Sequence, residues 1–201
     1  MKIDFITVGS FMENTYFIMD KEKGECLVID PGGDGEEIIK FLDDNQLTPV
    51  KIINTHGHID HVQANDALRE KFPHIPVLMH PADGELFGVH FDEPLSHGQL
   101  IPFAGQDLKI ISAPGHTPGS VCILTDNFML TGDTLFAGSI GRTDLGGSPR
   151  QMEETLRSRF NEIPGDMVIY PGHGEKSTMD RERKTNHFLI LAREGQLRGN
   201  L

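Results

Sequence analysis

Short apolar runs broken by glycine, proline and acidic turn residues set the rhythm of the first part of the chain. Ile3–Val8, Thr15–Met19 and Cys26–Ile29 have the length and residue types of consecutive strands separated by turns. Glu36–Asp44 places Ile38, Ile39, Phe41 and Leu42 at helical spacing and predicts an amphipathic helix. Lys51–Ile53 is the next strand, Ala64–Phe72 the next helix and Val77–Met79 the strand after it. A second series follows, with strands at Leu100–Phe103, Leu108–Ser112, Val121–Thr125 and Phe128–Leu130. A helix over Gln151–Phe160 begins just after Pro149, where a proline is tolerated in a first turn. Val168–Tyr170 reads as a strand, and a charged helical tail begins near Met179. Phe87–His97 has no clear period and reads as a connector. Strands and helices thus alternate in two similar halves. The economical packing is an α/β arrangement of two sheets face to face with helices outside.

A chain of 201 residues can bury one substantial core or a pair of fused halves, and a single domain over residues 1–201 is the expectation. Apolar residues make up 37% and charged residues 24%, with no run near the roughly 20 apolar positions a membrane helix needs. Met1–Phe5 lacks a signal-peptide layout, because Asp4 comes early and no apolar stretch follows; a cytoplasmic location is the default expectation. The formal charge of −12, without a basic run, disfavours nucleic acid as a partner, and no membrane partner is expected either. Cys26 and Cys122 lie in apolar strand-like runs without nearby histidine or cysteine, so both are expected to be buried, reduced thiols.

The chemistry is concentrated in Thr55-His56-Gly57-His58-Ile59-Asp60-His61, three imidazoles and a carboxylate in six positions. On a helix His56 and His58 would diverge. In a loop after a strand they can converge, and Gly57 permits a tight turn there. Imidazole and carboxylate together suit zinc, iron and related metals. Three further sites repeat one layout, a buried-strand pattern, a glycine turn, then a single candidate ligand. Ile110-Ile111 leads to Gly115-His116, Met129-Leu130 to Gly132-Asp133, and Val168-Ile169 to Gly172-His173. Singly each is an ordinary turn. Together with the His-rich loop they make up two sets of three ligands and one possible bridge.

These elements resemble the metallo-β-lactamase superfamily, and within it the single-domain type II glyoxalases. The matching segments are the His-x-His-x-Asp-His loop, Gly115-His116-Thr117-Pro118-Gly119, Gly132-Asp133-Thr134-Leu135-Phe136 and Gly172-His173-Gly174. The resemblance implies a four-layer αββα sandwich with the site along one sheet edge. It implies that His56, His58 and His116 bind one metal, that Asp60, His61 and His173 bind a second, and that Asp133 bridges them. Two divalent ions follow, zinc foremost, with iron and manganese accepting the same ligands. Asp30, at the end of Cys26–Ile29, either orients a ligand histidine or makes a plain Asp-Pro turn. Arg142, soon after Asp133, either anchors a substrate carboxylate or makes a structural ion pair. His74, His80, His90, His97 and His187 have no ligand partner at close spacing and are read as structural.

The expected reaction is hydrolysis of a small acyl-thiol such as S-lactoylglutathione by metal-bound hydroxide, with Asp60 helping to orient the nucleophile. A thiolate leaves without a strong general acid, and the sequence offers none. Two-domain type II glyoxalases carry a helical region that helps bind glutathione. This chain has instead Lys176, Arg181, Arg183 and Lys184 after His173, which leaves the identity of the thiol open. Three other readings compete. Persulfide dioxygenases resemble the chain as well, including a Gly-Arg-Thr-Asp element like Gly141–Asp144, and use one iron on the counterparts of His56, His116 and Asp133. Lactone or β-lactam hydrolysis would use the same nucleophile. The last alternative is a metal-binding protein without turnover.

Overall fold

The computed structural model describes residues 1–197, so the last four positions of the predicted tail lie outside the described residues. The chain divides into two compact units, residues 1–95 with 101–107, and residues 96–100 with the chain from Leu108 on. Each has its own sheet and apolar cluster.

In the first unit β1 (Lys2–Val8), β2 (Glu13–Asp20) and β3 (Glu25–Ile29) form an antiparallel meander. Then β4 (Thr48–Ile53), β5 (Val77–Met79) and the two-residue β6 (Glu93–Pro94) join in parallel, giving the order β1-β2-β3-β4-β5-β6. The crossover from β3 to β4 is α1 (Gly35–Asp44). Asp34 caps it by accepting the Glu36 N–H at 3.0 Å, and Glu36 and Glu37 face the positive end of its dipole. Its buried Ile38 and Leu42 join Phe17, Val28, Ile52 and Leu68 in the core, each contributing roughly 1.5–3 kcal/mol by leaving water. After β4 come the single turn α2 (Ile59–Val62) and α3 (Asn65–Lys71). After β5 comes α4 (Pro81–Phe87), an element that the turn-forming Pro81, Asp83 and Gly84 conceal in the sequence.

Parallel neighbours end on the same side. The C-terminal ends of β3, β4 and β5 therefore lie in a row, and the loops leaving them carry Asp30, the His-rich loop and α4. This is the side on which parallel sheets place their ligands.

The second sheet runs β14-β13-β10-β9-β8-β7. Its strands are β7 (Leu100–Phe103), β8 (Gln106–Ser112), β9 (Val121–Leu124), β10 (Phe128–Gly132), β13 (Val168–Pro171) and β14 (Ser177–Thr178). β8, β9 and β10 are antiparallel, whereas β10 and β13 are parallel, so the residues that follow these two emerge side by side. Their crossover contains the small hairpin β11 (Leu135–Phe136) and β12 (Ser139–Ile140), then α5 (Pro149–Arg159). Ser148 caps α5, and its buried Met152 and Leu156 pack with Ile111, Met129 and Ile169. The predicted tail is two short helices, α6 (Met179–Thr185) and α7 (His187–Arg193). Arg183, one of the cations of that tail, turns inward. Its guanidinium donates to the carbonyls of Phe160, Asn161 and Ile163 and closes the end of α5.

Both cysteines are buried and unbridged, as expected from their apolar surroundings, and burial pushes each thiol up to about 12. Among the described residues no helix is long and apolar enough to cross a membrane.

Candidate metal centre

In the first unit the loop after β4 folds its imidazoles together. His58 is extended (φ −66°, ψ 147°) before α2 begins, and extended residues two apart project to the same side. The rings of His56 and His58 meet edge to face at 4.8 Å, and those of His56 and His61 lie 4.0 Å apart. His56 and His61 are fully buried.

Asp30 is the anchor of this loop. One of its oxygens accepts the Thr55 N–H at 2.6 Å; the other accepts the Thr55 hydroxyl at 2.6 Å and the Nδ1–H of His61 at 3.1 Å. Although Asp30 lies within 4.8 Å of the ring nitrogens of His56 and His61, both its oxygens are occupied in this way. It orients a histidine rather than offering itself to a metal. The Thr55 hydroxyl has given its one proton to Asp30, so it accepts from His56 Nδ1 at 3.2 Å. Both imidazoles therefore carry their lone pair on Nε2, the form in which imidazole binds metal. The arrangement holds Asp30 at φ +51°, a left-handed conformation that aspartate tolerates better than most residues. A Cβ on Gly32 would fall 1.8 Å from the carbonyl oxygen of Asp60, so the Pro31-Gly32 turn presses on the backbone of the loop as only glycine can. Below it, the Asn54 amide donates to the carbonyl of His61 at 2.9 Å and accepts from Asn65 at 2.9 Å.

The second unit converges in the same manner. The Gly172 N–H donates to the Gly132 carbonyl at 2.9 Å and ties the end of β13 to that of β10. Asp133 and His173 follow directly, and Asp133 Oδ2 lies 3.6 Å from His173 Nε2. The same oxygen lies 3.6 Å from His116 Nε2. His116 Nδ1 donates to the backbone carbonyl of Arg142 at 2.6 Å, which leaves its lone pair on Nε2. Bonds of about 2.0–2.2 Å from a tetrahedral metal place neighbouring donor atoms roughly 3.3–3.6 Å apart. One carboxylate oxygen at that distance from two imidazole nitrogens, one of them on a ring whose other nitrogen is already donating, fits a metal centre better than a hydrogen-bonded cluster, where contacts fall nearer 2.9 Å.

Arg142 thus enters the site by its backbone. Its guanidinium is 60% exposed and grips Asp144 with two hydrogen bonds at 2.5 and 2.6 Å. These hold the Asp144 carboxyl at about 2, well below its ordinary value. A Cβ on the neighbouring Gly141 would lie 1.9 Å from the Asp133 carbonyl and 2.9 Å from His116 Nδ1, so the loop can approach both ligands only with glycine there.

Two supports have no plain signal in the sequence. One is Asp83, fully buried, which accepts the Gly57 N–H at 2.9 Å. The other is Glu182, 0% exposed within the charged tail. It accepts the Gly138 N–H at 2.8 Å, the Asn186 amide at 2.8 Å and the Ser177 hydroxyl. Asn186 also donates to the Ser139 carbonyl at 3.0 Å, so α6 is pinned to the hairpin between Asp133 and Gly141. Removing a buried acceptor that serves three donors leaves them unsatisfied. Glu182→Ala is expected to lower unfolding stability by on the order of 3 kcal/mol in urea titration at unchanged m-value; a loss below about 1 kcal/mol would show the node to be dispensable.

Comparison with known proteins gives the family and the fold. Residues 8–173 match the metallo-beta-lactamase superfamily. Hydroxyacylglutathione hydrolase GloC of Haemophilus influenzae is 32% identical over 94% of this chain and 98% of its own. The crystal structure of the B3 metallo-beta-lactamase BLEG-1 superposes with a TM-score of 0.83 at 32% identity, covering 94% of this chain and 99% of the other. That of TTHA1623 in a di-iron-bound form gives 0.79 at 30% identity over 92% and 99%. The α/β sandwich expected from the sequence is the fold of these proteins. With its match extending across most of its length and its donor groups grouped after parallel strands, the chain belongs to the metallo-beta-lactamase superfamily of metal-dependent hydrolases.

Proposed function

We propose that this protein is a binuclear thioesterase that cleaves a small hydroxyacyl-thiol, S-lactoylglutathione or a close analogue, to hydroxy acid and thiol. The observation that carries the reading is Asp133 Oδ2 at 3.6 Å from Nε2 of both His116 and His173, a carboxylate set between two imidazoles as a bridge requires. In this reading His56, His58 and His116 hold one ion, Asp60, His61 and His173 the other, and Asp133 joins them. The similarity to a hydroxyacylglutathione hydrolase and to a protein solved with two irons supports it. Zinc is the first expectation for the metal; iron and manganese suit the same donors.

Two divalent ions held there would leave the centre net positive, acidify a shared water and polarise a carbonyl oxygen. The chain's own residues do the rest. Asp30 and the Arg142 carbonyl keep His61 and His116 in the tautomer that presents Nε2. Asp60, partly exposed at the start of α2, orients the attacking water. The departing sulfur is a weak base with a pKa near ~8.5, so no side chain has to protonate it. The guanidinium of Arg142, exposed beside the Gly141 loop, is available to a substrate carboxylate in exchange for Asp144.

Protein purified without chelator is expected to contain two metal equivalents and to cleave S-lactoylglutathione with a higher kcat/KM than any lactone or β-lactam. A single equivalent unchanged by added zinc or iron overturns the binuclear centre. A wide advantage for lactones or β-lactams overturns the thioesterase.

A further inference from the structure

The loop that carries His56 and His58 is held from its far side by a helix with no part in the ligand set. α4 starts where β5 ends, next to the end of β4, because the two strands are parallel and the Asn54 N–H donates to the Leu78 carbonyl at 2.9 Å. Pro81 occupies its first turn, His80 Nδ1 caps it by accepting the Ala82 N–H at 3.2 Å, and Gly88 in the left-handed conformation (φ +68°) ends it. Asp83 and Phe87 are four residues apart and so share one helix face. Both face Gly57, and Phe87 reaches His58 as well. Asp83 Oδ2 accepts the Gly57 N–H at 2.9 Å, across 26 positions of sequence. Phe87 packs edge to face on the His58 imidazole, with ring centres 4.9 Å apart and planes at 69°. A Cβ on Gly57 would lie 2.5 Å from Phe87 Cδ2 and 3.2 Å from the Asp83 carbonyl. Gly57 therefore serves less to allow a turn, since its φ is not positive, than to let α4 come close. On the other side of the helix a Cβ on Gly84 would strike the Phe91 ring at 2.4 Å, so α4 is clasped in place from behind.

We propose that Asp83 and Phe87 make α4 a clamp that sets metal affinity at His56 and His58, with Asp83 the positioning residue. The peptide between the two histidines can rotate about its flanking bonds. Anchoring its N–H to a buried carboxylate fixes the plane from which both imidazoles project, so that no ordering remains to be done when a cation binds. The carboxylate also places negative charge in a water-poor environment near the cation position, where its attraction is weakly screened. Phe87 removes the rotamers of His58 that swing toward α4. The inference rests on the proposed ligand role of His56 and His58.

The test is zinc affinity of the full-length protein, read by competition with a chromogenic chelator, for wild type, Asp83→Asn and Asp83→Ala. Far-ultraviolet circular dichroism and Tm are recorded for each. Asp83→Ala is expected to weaken one of the two zinc positions roughly 10- to 100-fold, the range for groups that orient metal ligands. Asp83→Asn keeps an acceptor for Gly57 and loses the charge; its weakening is expected at roughly three- to tenfold, since charge-assisted hydrogen bonds are about twice as strong as neutral ones. Wild-type zinc affinity in Asp83→Asn overturns the proposal even if Asp83→Ala fails to fold. Equal weakening of both zinc positions in step with lowered Tm also overturns it, because general loosening of the unit predicts that pattern. Tight zinc in the wild type without thioester cleavage removes the thioesterase reading and leaves the affinity ratios to judge α4. Absence of tight zinc in the wild type overturns both.

Discussion

Asp133→Asn is expected to reduce thioester hydrolysis on the order of a thousandfold, about 4 kcal/mol of transition-state stabilisation, and to leave at most one metal equivalent bound. The substitution keeps shape and volume and removes one negative charge. Asp133 is the residue that the proposed centre uses twice, since Oδ2 sits 3.6 Å from Nε2 of both His116 and His173. An amide oxygen is a weaker donor than a carboxylate and bridges poorly, and its nitrogen cannot ligate at all. The amide also leaves the centre one unit more positive, so two cations repel each other more strongly. The backbone should hold, because the Asp133 main chain is fixed by its fit to Gly141 and by the bond between Gly172 and Gly132. Elemental analysis and steady-state kinetics check the result together. Two equivalents retained with activity within tenfold of wild type would show that Asp133 does not join the ions.

The parts of the site that could be read in the sequence are those written in one stretch of chain. A strand pattern, a glycine turn and a single donor recur before His116, Asp133 and His173, and local residues alone decide such a unit. The strands β7 and β5 have the bounds their apolar patterns predict for the same reason. The supports are a different matter. Asp83 stands in Pro81-Ala82-Asp83-Gly84, a turn-like string, and becomes a helix residue only because His80 caps the segment and Phe91 closes over Gly84. Glu182 lies among Asp180, Arg181, Arg183 and Lys184, where hydropathy alone predicts a solvated face. Its burial is decided by the Gly138 N–H, 44 positions away, and by Asn186. Arg183 likewise looks like a surface cation until the end of α5 offers it three carbonyls. The two-residue strands β6, β11, β12 and β14 are too short to produce any period. Donor atoms are chosen locally, and the groups that aim them are chosen by contacts that exist only after folding.

His173→Ala separates the hydrolase from the single-iron oxygenase. An oxygenase would rest on His56, His116 and Asp133, a two-histidine, one-carboxylate set with open positions. A binuclear hydrolase also requires Asp60, His61 and His173. His173 is the member of that second set whose removal disturbs least, because its side chain is 25% exposed while that of His61 is fully buried against Asp30 and Glu13. Its ring makes an edge-to-face contact with Phe136 at 6.2 Å, and truncation opens that contact toward solvent rather than into the core. The variant is therefore expected to stay folded, to lose one metal equivalent and to lose thioesterase activity by at least a hundredfold. The loss follows because one ion neither acidifies a shared water as strongly nor holds both attacking and carbonyl oxygens, interactions worth several kcal/mol together. Metal content, thioester turnover and oxygen uptake with a persulfide substrate are measured on one preparation. Oxygen uptake near the wild-type rate by His173→Ala, with no thioesterase in either protein, would replace the hydrolase with the oxygenase; loss of thioesterase together with one metal, and no oxygen uptake in the wild type, is the outcome the geometry of Asp133 predicts.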